Sequence, residues 1–137
     1  EQGTARSERR LALELFGGTC KLAHALSDEG FEAFGVDWVK GAGTVGRCVI
    51  IDLTKQAGHE QLWILLKNGR VDFVHMGVPC GTASRARDKA MPKSLKKLGC
   101  PEPRPLRSEA HPWGLPTGLT QMEQAKVASA NILNALG

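Results

Sequence analysis

The residues of this chain best suited to chemistry stand at four points, each just after a short apolar run. Phe16-Gly17-Gly18-Thr19 is a tight turn whose backbone can approach a ligand and then feed a helix N-terminus. Asp37-Trp38 pairs an acid suited to the hydroxyls of a ribose with an aromatic face suited to a purine. Asp52-Leu53 offers a second acid, able to accept a hydrogen bond from an exocyclic amine. Pro79-Cys80 presents a thiol, a natural nucleophile. Each has an ordinary explanation when taken singly. A glycine turn is a common loop, a strand-end Asp is often a helix cap, and a strand-end Cys is often structural. Their order along the chain is what points to a nucleotide-like ligand beside a nucleophile.

Alternating elements are needed to bring these points to one edge. The apolar periodicity predicts strands at 11–16, 31–36, 48–53 and 71–76. The third, Cys-Val-Ile-Ile-Asp-Leu, is nearly continuous in its apolar character, which predicts burial on both faces. Helices are expected at 19–29, with Leu22, Ala23, Ala25 and Leu26 in register and Gly30 as its stop, and at 56–68, ended by Asn68-Gly69. Residues 41–46 form a glycine-rich turn. Strands alternating with helices imply an open α/β fold with parallel pairing, whose ligands bind at the carboxyl ends of the strands.

The stretch from Gly81 to Gly118 differs in kind, holding six of the seven prolines. It reads as a long loop with one short helix, and loops of that length commonly serve a site. From Gly81 to Ser108 eight basic residues, Arg85, Arg87, Lys89, Lys93, Lys96, Lys97, Arg104 and Arg107, stand against Asp88 and Glu102, while the rest of the chain carries more acids than bases. Such a loop suits a phosphate backbone, or is simply a solvated face. Trp113 within it is either a base-stacking platform or a loop anchor. The chain then closes on a helix at 119–136, with Met122, Ala125, Val127, Ala128, Ile132 and Leu136 as its apolar stripe. Thr120 and Glu123 have the spacing of a capping box.

The composition of these 137 residues, 42% hydrophobic and 23% charged, fits one globular domain or part of one. No apolar run approaches the roughly 18 residues of a membrane span. The polar segment at residues 1–10 does not resemble a secretory leader, so an intracellular protein is expected. Cys20, Cys48, Cys80 and Cys100 form no C-x-x-C pair, so neither a zinc site nor a disulfide framework is expected.

Taken together, the motifs resemble those of the DNA cytosine-5 methyltransferases. That family opens with an acid-Leu-Phe-x-Gly turn, matched by Glu14-Leu15-Phe16-Gly17-Gly18. Its acid-Trp pair is matched by Asp37-Trp38, and the acid and aliphatic residue ending its third strand by Asp52-Leu53. Its Gly-x-Pro-Cys-x-x-x-Ser loop is matched by Gly77, Pro79, Cys80 and Ser84, preceded by Asp72. The resemblance covers about residues 11–84. It implies a Rossmann-like, S-adenosylmethionine-dependent methyltransferase fold with strand order 3-2-1-4. The cofactor would lie at Phe16, Gly17, Gly18, Thr19, Asp37, Trp38, Asp52, Leu53 and Pro79, and Cys80 would be the nucleophile toward cytosine in DNA.

Ser84, Arg85, Arg87, Lys93, Lys96 and Lys97 would contact DNA, with RNA as the alternative polyanion. The nucleus is then one candidate location. The basic neighbours Arg85 and Arg87 would favour the thiolate of Cys80. Cys20 and Lys21 stand where the family continues with glycines, so they are expected to crowd the methionine end of the cofactor. Gly81 replaces the Gln usual after the nucleophile. The family's cytosine-gripping Glu belongs to a strand later than any present, so residues 11–137 are expected to be a truncated domain. A protein partner or a further segment would complete its sheet. The alternative to an enzyme is a non-catalytic module of the same fold, serving as a nucleic-acid adaptor or a subunit.

Overall fold

A computed structural model describes residues 9–68 and 71–136, with 85 and 86 described by backbone alone. Most of the polar segment expected at 1–10, and the Gly69 expected to stop the second helix, lie outside these residues. The chain divides between Val78 and Pro79 into two compact units.

The first unit runs β1 (Leu11–Leu15), α1 (Lys21–Asp28), β2 (Glu32–Asp37), β3 (Cys48–Ile50), α2 (Gln56–Asn68) and β4 (Val71–Met76). Its four strands form one sheet in the order β3-β2-β1-β4, with every pair parallel. This is the order expected, and it is compatible with a Rossmann-like fold. The two central strands bury Ala12, Leu13 and Leu15 from β1, and Ala33, Phe34 and Val36 from β2. Their nearly unbroken apolar character is what a strand with neighbours on both sides requires.

The third strand departs from expectation. It is three residues long, has β2 as its single neighbour, and leaves Val49 and Ile50 exposed rather than buried on both faces. The apolar run divides instead: Ile51 and Leu53, beyond the strand, turn into the core. β2 also reaches β3 without a helix, through the glycine-rich connection at 38–47. β4 forms the other edge, with Phe73 and Val74 exposed.

Cys20 organises the turn between β1 and α1. It is fully buried, and its sulfur lies so close to the sheet that a Cβ on Gly35 would stand 2.2 Å from it. Burial, then a hydrogen bond with Cys48, pushes its thiol up to about 12, so the group stays neutral and behaves as a small apolar residue. Cys20 therefore points into the core and does not crowd a ligand, while Lys21 is exposed. The helix also begins later than expected, because Cys20 N–H closes a turn on the Gly17 carbonyl at 2.8 Å. Cys20 supplies no side-chain cap, and the Glu14 carboxylate accepts from Ala23 N–H at 2.7 Å instead. An acid at that position satisfies an orphan donor and complements the helix dipole.

The second unit contains a 3-10 turn (Arg85–Asp88), α3 (Lys93–Lys97) and α4 (Gln121–Asn134). Its buried apolar side chains include Leu106, Val127 and Ala130, and much of its cohesion is polar. Arg104 grips both carboxylate oxygens of Glu123 and donates to the Gly118 carbonyl at 2.7 Å. Arg107 donates to Thr82 Oγ1 at 2.9 Å, to the Pro112 carbonyl at 2.6 Å and to Asn131 Oδ1 at 2.8 Å. The capping box of Thr120 and Glu123 forms as expected.

The buried face of α4 differs from the stripe read from the sequence. Val127 and Ala130 are inside, whereas Met122 is 69% exposed and Ile132 is exposed as well. Glu123 and Asn131 lie on the face that the two arginines hold, so these polar contacts set the rotation of the helix.

Gly35→Ala should destabilise the first unit by about 1–3 kcal/mol, the usual cost of forcing a methyl into a packed site. In a Cys20→Ala background the same change should cost at least about 1 kcal/mol less, since the obstructing sulfur is gone. Urea denaturation of the four proteins checks this, and strictly additive costs would contradict the wedge.

Arg104 holds the Glu123 carboxyl at about 2, below its ordinary 4.5. A depressed carboxylate contributes stability that is present above pH 4.5 and lost as pH falls toward 2. The helical circular-dichroism signal of α4 should therefore weaken across that window, and Glu123→Gln should remove this part of the pH dependence.

Candidate functional site

Three residues in the left-handed region lie within one short stretch: Phe16 at φ 59°, Gly18 at 55° and Cys20 at 54°. For Phe and Cys that conformation costs about 1 kcal/mol or more each, so the surroundings must impose it. They do so through hydrogen bonds. The amides of Phe16 and Gly17 both donate to the Val36 carbonyl, at 2.8 and 3.3 Å. Gly18 N–H donates to Asp37 Oδ2 at 2.8 Å, and Trp38 N–H donates to Asp37 Oδ1 at 2.8 Å. The turn after β1 and the end of β2 are thus joined through one carboxylate.

From the connection before β3, Thr44 Oγ1 donates to the Gly18 carbonyl at 3.4 Å and Val45 N–H to the Thr19 carbonyl at 2.9 Å. Phe16, Gly17, Gly18, Thr19, Asp37 and Trp38 therefore come together, as the sequence led us to expect. Asp37 retains one lone pair on each oxygen for further donors. A Cβ on Gly18 would meet nothing within 4 Å, so the turn has an open side. Trp38 is 71% exposed next to it, a free aromatic face.

The end of β3 is arranged differently. Ile51 N–H donates to the Asp37 carbonyl at 2.8 Å, which sets this corner against β2. Asp52 Oδ1 accepts from the Thr54 hydroxyl at 2.6 Å and the Thr54 amide at 2.9 Å. These two bonds, the hydroxyl first, hold its carboxyl below the usual carboxylate range. Leu53 is only 3% exposed, so its side chain belongs to the core and offers no surface to an adenine. The exposed apolar side chain at this strand end is Ile50, at 52%, in register with Asp37. Sequence reasoning passed over Ile50, Thr44 and Val45. The glycines at 41, 43 and 46 were the available signal that this connection runs close to other backbone.

Pro79, Cys80, Ser84 and the basic residues belong to the second unit. Cys80 and Pro79 are exposed, and Ala83 N–H closes a turn on the Cys80 carbonyl at 2.9 Å. Arg87 donates from Nε to the Gly81 carbonyl at 2.5 Å and from Nη1 to the Arg104 carbonyl at 3.2 Å. Ser84 accepts at its carbonyl from Arg87 N–H at 3.1 Å. Lys96 pairs with Glu102 at 2.8 Å, which holds the Glu102 carboxyl below its ordinary range. Lys93 and Lys97 are exposed, and among the described residues neither takes part in an ion pair. The side chain of Arg85 lies outside the described residues.

A cleft of about 540 Å³ lies between Arg87, Lys89, Glu102 and Arg104. The Trp113 side chain is exposed, and its carbonyl, rather than its ring, holds the chain by accepting from Asn131 Nδ2 at 2.9 Å. Among the described residues, no group of three His, Cys, Asp or Glu is disposed to hold a metal ion. No helix among them is long and apolar enough to cross a membrane. Comparison with family models, with curated proteins and with solved structures finds no match.

Proposed function

We propose that this chain carries the cofactor-binding front part of an S-adenosylmethionine-dependent methyltransferase of the DNA cytosine-5 kind, with Cys80 as its nucleophile. The observation that carries the reading is the Asp37 carboxylate, which fixes the turn after β1 while an open-sided Gly18 and an exposed Trp38 stand beside it. The residues fit the group. Asp37 has lone pairs left for the ribose hydroxyls, and Trp38 has a free face for the adenine. Ile50 takes the apolar role first given to Leu53, and Asp52 remains as an acceptor.

S-adenosylmethionine supplies an electrophilic methyl group when bound. The part of Cys80 is to add its thiolate sulfur to C6 of a cytosine turned out of the helix, which makes C5 nucleophilic. After C5 has gained the methyl group and lost its proton to a base, the C6–S bond breaks and the thiolate leaves. The exposure of Cys80 suits this role. Lys93 and Lys97 are the basic residues best suited to phosphates, because Arg87 is committed to carbonyls and Lys96 to Glu102.

S-adenosylmethionine should quench the tryptophan fluorescence of the chain. Trp38→Ala should weaken binding about tenfold, the loss of roughly 1.4 kcal/mol of stacking. In the full-length protein, an oligonucleotide bearing 5-fluorocytosine should form a covalent adduct that Cys80→Ser abolishes while cofactor binding persists. The fluorine replaces the C5 proton whose loss releases the enzyme. Absence of both quenching and calorimetric heat at millimolar cofactor would defeat the reading.

DNA binding should weaken steeply with salt. The paired change Lys93→Gln and Lys97→Gln should flatten the slope of log K against log salt by about two, because each lysine neutralises one phosphate. Lys96→Gln should flatten it less. An unchanged slope in the paired variant would make the loop a merely solvated face.

A further inference from the structure

We infer that Arg107 is the positioning residue of the Cys80 turn, acting through the Thr82 hydroxyl. The catalytic consequence rests on the methyltransferase reading; the geometry does not. Thr82 is two residues beyond Cys80 and is the buried polar residue of this turn, at 9% exposure. Its Oγ1 accepts from both Nε and Nη2 of Arg107, at 3.2 and 2.9 Å. The same guanidinium reaches the Pro112 carbonyl and Asn131 Oδ1, and Asn131 in turn holds the Trp113 carbonyl. One planar cation thus ties the turn to the His111-Pro112-Trp113 stretch and to α4, which also buries Val127 and Ala130.

This gives the proline-rich segment at 105–116 a purpose. It delivers Arg107 beneath the turn, while the adjacent Leu106 is fully buried and anchors the backbone there. Arg87 holds the next carbonyl, that of Gly81, from the other end of the loop. An exposed thiol has no packing of its own to orient it, so its direction depends on a turn held from its inner side. A bidentate arginine suits that task because its donors are fixed in one plane. Lysine lacks that plane and cannot reproduce the grip.

The test follows exchange of the Ala83 amide, which closes the turn on the Cys80 carbonyl, by NMR in the chain. Arg107→Gln and Thr82→Val should each accelerate that exchange at least fivefold, and their combination should add little further. Thr82→Ser, which keeps the hydroxyl, should restore slow exchange. Glu123→Ala serves as a control, because it loosens α4 through the other arginine clip and should leave the Ala83 amide unaffected. In the full-length protein, Arg107→Gln should slow adduct formation with the 5-fluorocytosine oligonucleotide at least tenfold. The half-saturating oligonucleotide concentration should change less than twofold. Equal acceleration of Ala83 exchange by Arg107→Gln and Glu123→Ala would overturn the inference. Failure of the unsubstituted protein to form an adduct would defeat the methyltransferase reading, and the exchange comparison would still decide whether Arg107 holds the turn.

Discussion

The sulfur of Cys20 lying on Gly35 is the contact on which the first unit turns. A parallel sheet must carry the chain from the end of β1 into a helix that packs back over β2, and there is little room for a tight reversal. A buried thiol in the left-handed conformation fills the space a side chain at Gly35 would claim, and lets the backbone of the turn settle on the sheet. That settling brings the amides of Phe16 and Gly17 to the Val36 carbonyl and the amide of Gly18 to Asp37. The left-handed Phe16 is tolerated because these bonds leave it no alternative. Burial keeps the thiol protonated, so the wedge remains apolar at every physiological pH.

The sequence disclosed those parts of this arrangement that are local. The helix at Gln56–Asn68, the fourth strand and the capping box of α4 follow from periodicity and spacing within a few residues, and all three occur where expected. Asp37 and Trp38 were legible because a strand end is itself a local feature. What depends on distant neighbours was not legible. Cys-Val-Ile-Ile reads as an interior strand, but this sheet gives β3 one neighbour and sends only the later residues inward. Leu53 followed the same course, and a motif position was not enough to say whether its side chain faces a ligand or the core. The apolar stripe of α4 failed for a different reason. Periodicity weighs hydrophobic residues, whereas this helix is oriented by what its Glu123 and Asn131 bind.

Charge counting was equally blind to the division of labour among the basic residues. Summed by sequence, Arg87, Lys93, Lys96, Lys97, Arg104 and Arg107 are one patch. In the structure the three arginines are engaged by carbonyls, a hydroxyl, an amide and a carboxylate, while Lys93 and Lys97 are exposed and, among the described residues, take part in no ion pair. The physical chemistry of the two side chains explains the split. Guanidinium is weakly hydrated and planar, with several donors in fixed directions, so it can knit irregular backbone whose carbonyls have no secondary-structure partner. Ammonium is strongly hydrated and gains less by leaving water.

The two units are therefore held by different means, and the difference bears on what each can do. The first relies on apolar strands that tolerate no shift without exposing their core, which suits a turn that must present fixed backbone donors and a fixed carboxylate. The second has little apolar area to bury, and replaces it with arginine clips spaced along a proline-rich chain. Prolines lower the entropy of the unfolded segment, so fewer contacts are needed to order it. At the Cys80 turn the holding bond is partly buried, between Arg107 and Thr82, and the thiol beside it stays exposed. Cys80 gains most from that economy: it remains exposed on a turn whose shape is set by Thr82, Gly81 and the two arginines that grip them.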